Sequence, residues 1–429
     1  MVRFGAVERA GRATPALVAA GSAMVAVHAW GLWNLGATPT PTLYSLYLLT
    51  LIPFAVIVVS SGTGFLSDLR VGLLVLVGLA LFLQVWLQPT VAALGYVVAS
   101  LSWVALFAAL AVSVSGPSAQ RTVVLVLLVL GALEGAIGLA QALSPDPDGA
   151  ATSMAHGTLV NRNHFAGLMN LSLPLAIGAM YTGLARRSRG GHRSSEVLAW
   201  SWIGLLALAP MGLAVLLSRS RGGSLILGAT LVFLAALLVA RRRGTGSASL
   251  TPLVPSLLLV LVLAIGLVVG IGPLLERFSQ TELSAEGRWK LYRETVGLVA
   301  DHPVAGVGPG MYKWRFRPYQ AEEGRVRFDH AHNDYLESAV EWGVPLALVL
   351  WSFLVWRLWR AVRVFLTSPR SWHSGLALGC AGSILSLLLH SLVDFNLYIP
   401  SVAMTFFAVV GLAWSLEPWR TSPTTGDRQ

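Results

Sequence analysis

Residues 222–240 read GGSLILGATLVFLAALLVA, with Ser218-Arg219-Ser220-Arg221 before them and Arg241-Arg242-Arg243 after them. The run carries no charge. As a helix it reaches roughly 28 Å at about 1.5 Å per residue, which matches a hydrocarbon core of about 30 Å. Runs of this kind recur along the 429-residue chain, at 14–33, 42–60, 70–88, 91–113, 121–143, 164–184 and 197–217, then at 252–275, 337–356, 373–391 and 397–416. Only a helix or a closed barrel satisfies its backbone in lipid, and uninterrupted apolar runs of this length select the helix. The expected fold is therefore an all-α, polytopic membrane bundle of about 12 spans.

Composition agrees. Only 12% of residues are charged, about half the share of a soluble domain, and 55% are hydrophobic, giving a mean hydropathy of +0.69. In a soluble chain a net charge of +10 points to a nucleic-acid partner; here the placement of the charges argues against one. With a cytoplasmic N-terminus, the even-numbered connections and both tails should be basic. They carry Arg3, Arg9, Arg12, Arg70, Arg121, Arg186, Arg187, Arg189, Arg193, Arg241, Arg242, Arg243, Arg357, Arg360, Arg363, Arg370, Arg420 and Arg428. The expected topology is multi-pass, with both termini inside. The first run lacks a small-residue cleavage site and is expected to act as a signal anchor. Cys380 stands alone in an apolar run, so no internal disulfide framework is possible. The expected organisation is a transmembrane domain over 1–420, an extracytoplasmic loop over 276–335 inserted between the ninth and tenth spans, and a disordered cytoplasmic tail over 421–429.

In such a chain the informative residues are polar. Ser218–Ser224 puts Arg219 and Arg221 at the outer start of a span, where exposed N–H groups and the helix dipole favour an anion and a guanidinium can grip two phosphate oxygens. The loop carries an amphipathic helix near 285–300 with Glu286-Gly287-Arg288-Trp289-Lys290-Leu291-Tyr292-Arg293. Turns are expected beyond it at Gly306, Gly308 and Gly310. Asp329-His330-Ala331-His332-Asn333-Asp334-Tyr335-Leu336-Glu337 follows; its histidines suit proton transfer to or from a hydroxyl. The same H-x-H invites a metal, but two histidines fall short of a ligand set. Asp334 and Glu337 read as an N-cap pair, and Asn333, Glu337 and Glu341 share a face of the tenth span. Asn161, Arg162 and Asn163 precede the sixth span, and His390 to Asn396, with Asp394, ends the eleventh. Glu134 is isolated within the fifth, a partner for an arginine or for a helix-interface hydrogen bond. Every cluster but Glu134 falls on the extracytoplasmic side.

Arginines plus a histidine at a membrane surface suit a polyprenyl diphosphate carrying a sugar. The tail stays in lipid, and the diphosphate is both handle and leaving group. The order Arg221 in Ser-Arg-Gly-Gly, Gly287-Arg288, His302-Pro303, Gly306-x-Gly308, then His332-Asn333 and, nine residues on, Gly343 resembles the O-antigen ligase and O-antigen polymerase family over roughly residues 150–415. Leu346 departs from the ligase pattern. The resemblance implies an inverting membrane glycosyltransferase, without metal or cofactor, that uses an undecaprenyl-diphosphate-linked glycan. The acceptor would be a glycan, glycolipid or lipid A–core hydroxyl; transfer to protein also occurs in the family. It implies that Arg221 and Arg288 bind the diphosphate and that His332 is the base. Arg219, Asn161, Arg162, Asn163, His330, Asn333, Glu337, Arg293 and Asp394 are further substrate-binding candidates from their positions alone. Two rivals stand: a transporter or flippase for a lipid-linked or small anionic substrate, which predicts polar groups through the membrane's depth, and a non-catalytic scaffold, which predicts no convergence of Arg221, Arg288 and His332.

Overall fold

Seven of the apolar runs fall among residues that the computed structural model describes, which are 116–144, 154–187, 195–245, 285–320, 327–369 and 371–416. The expected spans at 14–33, 42–60, 70–88, 91–113 and 252–275 and the tail at 421–429 lie outside them. The described helices are α1 (Pro117–Leu143), α2 (Arg162–Arg187), α3 (Ser195–Leu217), α4 (Arg221–Thr245), α5 (Ala285–Asp301), α6 (Tyr312–Arg315), α7 (Asp334–Trp342), α8 (Val344–Thr367), α9 (Ser371–His390) and α10 (Pro400–Ser415). There is no strand among the described residues. Six helices (α1, α2, α3, α4, α8 and α9) are long and apolar enough to cross a membrane, and α10 is a shorter apolar helix.

The arrangement follows from polarity. α2 carries His164, Asn170, Ser172 and Thr182, and it lies at the centre with 94% of its apolar window buried, against 39% for the uniformly apolar α4. Helices that face lipid have no means of hiding polar groups, whereas a central helix can satisfy them internally. Asn170 Nδ2 donates to the Gly223 carbonyl at 2.9 Å, and Ser383 Oγ donates to that of Leu171 at 2.5 Å. Between apolar helices lipid gives no hydrophobic drive, so close packing must supply the attraction. α2 and α9 meet backbone to backbone: a Cβ on Gly178 would sit 2.2 Å from the Gly375 carbonyl oxygen, and one on Gly379 would sit 2.9 Å from Leu175 Cα.

The expected tenth span, 337–356, is not one helix. Gly343 at φ +79° ends α7, and Pro345 in the first turn of α8 starts a new one. Proline's missing N–H and fixed φ suit a first turn and not an interior. The apolar helix thus begins later and runs on to Thr367, so Arg357, Arg360 and Arg363 belong to it and not to the connection after it. Arg357 is fully buried, with its guanidinium carbon 4.6 Å from the Trp414 ring centroid and 5.0 Å from that of Trp356.

The two ends of the bundle differ. At one, Arg241, Arg242 and Arg243 close α4, Arg363 lies in the last turns of α8, and Arg241 donates to the Ser368 carbonyl at 2.7 Å. At the other, α2, α4, α8 and α10 begin, α9 ends, and α5 to α7 form a cap. The cap has its own small core of Leu291, Leu298, Val307, Tyr312, Phe316, Ala331 and Val340.

Candidate active site

The backbone that carries the H-x-H segment is held from three directions. From below, the Asn333 side chain accepts from Leu336 N at 3.0 Å and caps α7. The cap residue is therefore Asn333, not Asp334. Asp334 instead occupies the first helical position, buried, where it accepts from Ser391 Oγ at 2.7 Å and from Leu397 N. Burial holds its carboxyl well above the usual carboxylate range. From one side, Gly306 (φ +67°), Gly308 (φ +98°) and Gly310 (φ +71°) turn the chain over the end of α7. There Val307 N donates to Val340 O at 2.8 Å, Gly308 N to Glu341 O at 3.1 Å, and Val344 N to Pro303 O at 2.8 Å. A Cβ on Gly343 would meet the Val304 carbonyl oxygen at 2.0 Å, so the His302-Pro303, Gly306-x-Gly308 and Gly343 motifs are the two sides of one backbone contact. From above, Tyr292 on α5 donates to the carbonyl of His332 at 2.8 Å and lies 3.1 Å from that of Leu392.

The two histidines make parallel arrangements. His330 Nδ1 pairs with Glu337 Oε1 at 2.6 Å, while Glu337 Oε2 accepts from Ala331 N at 2.8 Å. His332 Nδ1 pairs with Asp394 Oδ1 at 3.3 Å, and the same oxygen accepts from Phe395 N at 3.0 Å. Phe395 lies among three imidazoles, stacked on His330 at 4.0 Å and edge-on to His164 at 4.6 Å and His332 at 4.9 Å. Burial works against ionising Asp394, but His164, the hydrogen bond from His332 and His390 together keep its carboxyl below the usual range. Burial likewise disfavours charged His330, and the Glu337 carboxylate outweighs it, raising this imidazole above the ordinary value. Glu341, buried beside Glu337, is pushed up to about 8 and accepts from Tyr398 at 3.0 Å and from Tyr312 N at 3.2 Å. The two imidazoles are equally exposed, one quarter each, and both are bonded through Nδ1, which leaves Nε2 as the other ring nitrogen; they differ in that His330 lies flat on Phe395 whereas His332 meets it edge-on. His332 also sits at φ +50°, in the left-handed region that costs a side-chain-bearing residue.

The remaining candidates arrive by several routes. Arg288 lies one turn before Tyr292 on the same face of α5, near enough that its charge acts on Tyr292 and on His390. Arg221 is the first residue of α4, and a Cβ on its neighbour Gly222 would touch Val393 at 3.4 Å, next to Asp394. Arg219, half-buried, takes φ +53° in the turn before α4. Asn163 Oδ1 accepts from Ser220 Oγ at 2.8 Å, which joins the start of α2 to that of α4. Asn161 and Arg162 contact their own segment: Asn161 Oδ1 accepts from Asn163 N at 2.8 Å, and Arg162 Nη1 lies 2.8 Å from Met154 Sδ. Arg293 is exposed on α5. Glu134 accepts from Thr158 N at 3.0 Å and from Thr158 Oγ1 at 2.7 Å, bracing the 154–160 segment. Among the described residues no group of three or more His, Cys, Asp or Glu side chains is arranged to hold a metal ion.

Tyr292, Phe395, His164 and Asn396 lie in or beside the polar clusters of the sequence, but nothing there gave them a role or paired His164 with Asn396, which it meets at 3.0 Å. No local pattern marks them, because their partners lie 40, 65 and 232 residues away.

Residues 206–351 match the family model for O-antigen ligase. The chain is similar to the O-antigen ligases. The matched segment holds Arg219, Arg221, Arg288, Arg293, His330, His332, Asn333 and Glu337, while Asn161, Arg162, Asn163 and Asp394 lie outside it. No curated protein matches the chain. The O-antigen ligase match and the apolar helices together support an integral membrane protein with a glycosyl-transferring role in surface polysaccharide assembly.

Proposed function

We propose that this chain is an inverting, metal-independent glycosyltransferase that moves a glycan from undecaprenyl diphosphate to an acceptor hydroxyl on the extracytoplasmic face of a bacterial inner membrane. The observation that carries this reading is the His332–Asp394 pair at the rim, tied through Tyr292 to the helix bearing Arg288 and lying beside the start of α4 with Arg221.

Asp394 stays ionised, so His332 keeps its proton on Nδ1 and turns the Nε2 lone pair outward. That nitrogen takes the proton of the acceptor hydroxyl as its oxygen bonds to the anomeric carbon. The bond from that carbon to the diphosphate breaks in the same displacement, which inverts the centre. Negative charge grows on the leaving polyprenyl diphosphate, where Arg221, Arg288 and the N–H groups opening α4 offset it. The proton passes from His332 to solvent. Arg219, Arg293, Asn161, Arg162 and Asn163 would line the approach of donor and acceptor, and His330, Asn333, Glu337 and Asp394 would shape its inner wall. The rim faces outward in this reading because the arginine-rich ends of α4 and α8 lie at the opposite end of the bundle. The transmembrane domain over 1–420 carries the loop over 276–335 as a cap, and the tail over 421–429 is cytoplasmic.

The test is transfer from a purified polyprenyl-diphosphate glycan by the full chain in detergent containing EDTA, with the anomeric configuration of the product read by NMR. Transfer with inversion supports the proposal, and a retained configuration or a dependence on added divalent metal contradicts the mechanism. If no donor and acceptor pair reacts while proteoliposomes move a lipid-linked saccharide across the bilayer, the flippase reading replaces it.

A further inference from the structure

We infer that Tyr292 is a positioning residue that couples occupation of the diphosphate site to the geometry of the base. The inference rests on the proposed glycosyltransferase reading for Arg288 and His332, and it adds a mechanical link that neither residue supplies alone.

His332 holds an unfavourable backbone conformation, φ +50°. Such a residue persists only where its surroundings over-determine it. Three tethers do so here. The Tyr292 hydroxyl donates to its carbonyl at 2.8 Å, Asp394 takes its Nδ1 at 3.3 Å, and the next residue, Asn333, is fixed as the α7 cap. Two of these tethers share a second anchor. Tyr292 Oη lies 3.1 Å from the Leu392 carbonyl, and Asn333 Nδ2 donates to that same carbonyl at 3.1 Å. Leu392 stands two residues before Asp394, so the one phenol gathers the base and the turn that carries its carboxylate.

The third element at this junction is α5 itself. Arg288 and Tyr292 are four residues apart on one helix face, so a rigid α5 cannot shift the guanidinium without shifting the phenol. A phenol has one proton and here faces two carbonyl oxygens. A small displacement of α5 therefore changes how that proton is shared between the His332 and Leu392 carbonyls. Seating of a diphosphate on Arg288 draws on α5, and Tyr292 passes the displacement to His332. Base alignment then depends on donor occupancy, and by linkage the aligned base favours donor binding.

Two readouts separate this from a merely structural role. The first is the 15N and 1H signal of His332 in histidine-labelled full-length protein, assigned by its loss in His332→Gln. Titration with a short-chain polyprenyl diphosphate bearing no sugar should shift this signal in the wild type. In Tyr292→Phe the diphosphate should bind within about twofold of wild type while the His332 shift disappears. An equal shift in both proteins, or binding without any shift in the wild type, overturns the coupling. The second is steady-state transfer: Tyr292→Phe should lower kcat about tenfold with donor KM little changed, the scale of one lost hydrogen bond expressed in the rate. Wild-type protein that binds the diphosphate and shifts His332 but transfers no glycan would instead sink the function proposed above and leave the coupling standing. Tyr319→Phe, which removes a hydroxyl bonded to Asp301 on the far part of the same cap, serves as the control and should behave as wild type.

Discussion

Replacing Asp394 by Asn changes one atom type at a buried position and keeps the volume. Asparagine retains an oxygen that can accept from Phe395 N, so the turn after α9 has no reason to move. What is lost is the charge that fixes His332 Nδ1–H. A hydrogen bond to a charged group is worth about 1.5–3 kcal/mol, which corresponds to roughly 10- to 150-fold in rate if all of it is expressed in the transition state. The 3.3 Å length and the partial exposure of His332 place the expectation in the lower part of that range, at about 10- to 30-fold in kcat. Donor KM should hardly change, since Asp394 is not assigned to the diphosphate. The assay is initial-rate transfer at saturating donor, with thermal unfolding of both proteins measured in the same detergent. A variant that unfolds like the wild type and transfers within threefold of it would refute the assignment of Asp394 as the partner that orients the base.

Other consequences follow from the cap and the bundle. Glu341 is raised to about 8 by burial, so between its unfolded value near 4.5 and that figure the folded state holds the proton more tightly. His330 is raised too, so its contribution is present below its unfolded value and fades as pH rises through the folded one. Both signs agree, and the melting temperature of the purified protein should fall from pH 5 to pH 9, with Glu341→Gln flattening the decline; a curve as steep in that variant would show that other groups govern it. Gly343→Ala should cost at least about 2 kcal/mol and abolish transfer, because the new methyl meets the Val304 carbonyl at a φ of +79°. Proteolysis within the cap should accelerate in that variant, and unchanged cleavage would count against the contact. Gly178→Ala should lower the unfolding temperature of the membrane portion, by overpacking of about 1–3 kcal/mol against the Gly375 carbonyl; a variant as stable as wild type would mean that α2 and α9 can separate at little cost.

Much of the fold was legible because lipid imposes a simple rule on sequence. The runs at 121–143, 164–184, 197–217, 222–240, 373–391 and 397–416 appear as helices whose ends differ by a few residues. The rule fails where a helix changes environment part-way, as at Gly343, because apolar windows do not register a glycine–proline break flanked by helix-forming residues. It also fails at Arg357, whose charge suggested an aqueous connection and whose guanidinium lies buried against the rings of Trp356 and Trp414. In the candidate site, His332, Arg221 and Arg288 were singled out by residue type and by the family resemblance, Gly306, Gly308 and Gly310 were expected at turns, and Gly343 entered through its spacing from His332. The pairings were not legible. That Asp394 belongs to His332 and Glu337 to His330, and that Tyr292 reaches both His332 and Leu392, depends on how α5, α7 and the turn after α9 meet, and separations of up to 100 residues leave no local trace.

The central claim is tested most directly by glycan transfer from a purified polyprenyl-diphosphate donor in EDTA, comparing wild type with His332→Ala and Arg288→Ala, all three shown to unfold alike. The account predicts transfer by the wild type and its loss in both variants. Transfer that persists in either variant at near wild-type rate would contradict it.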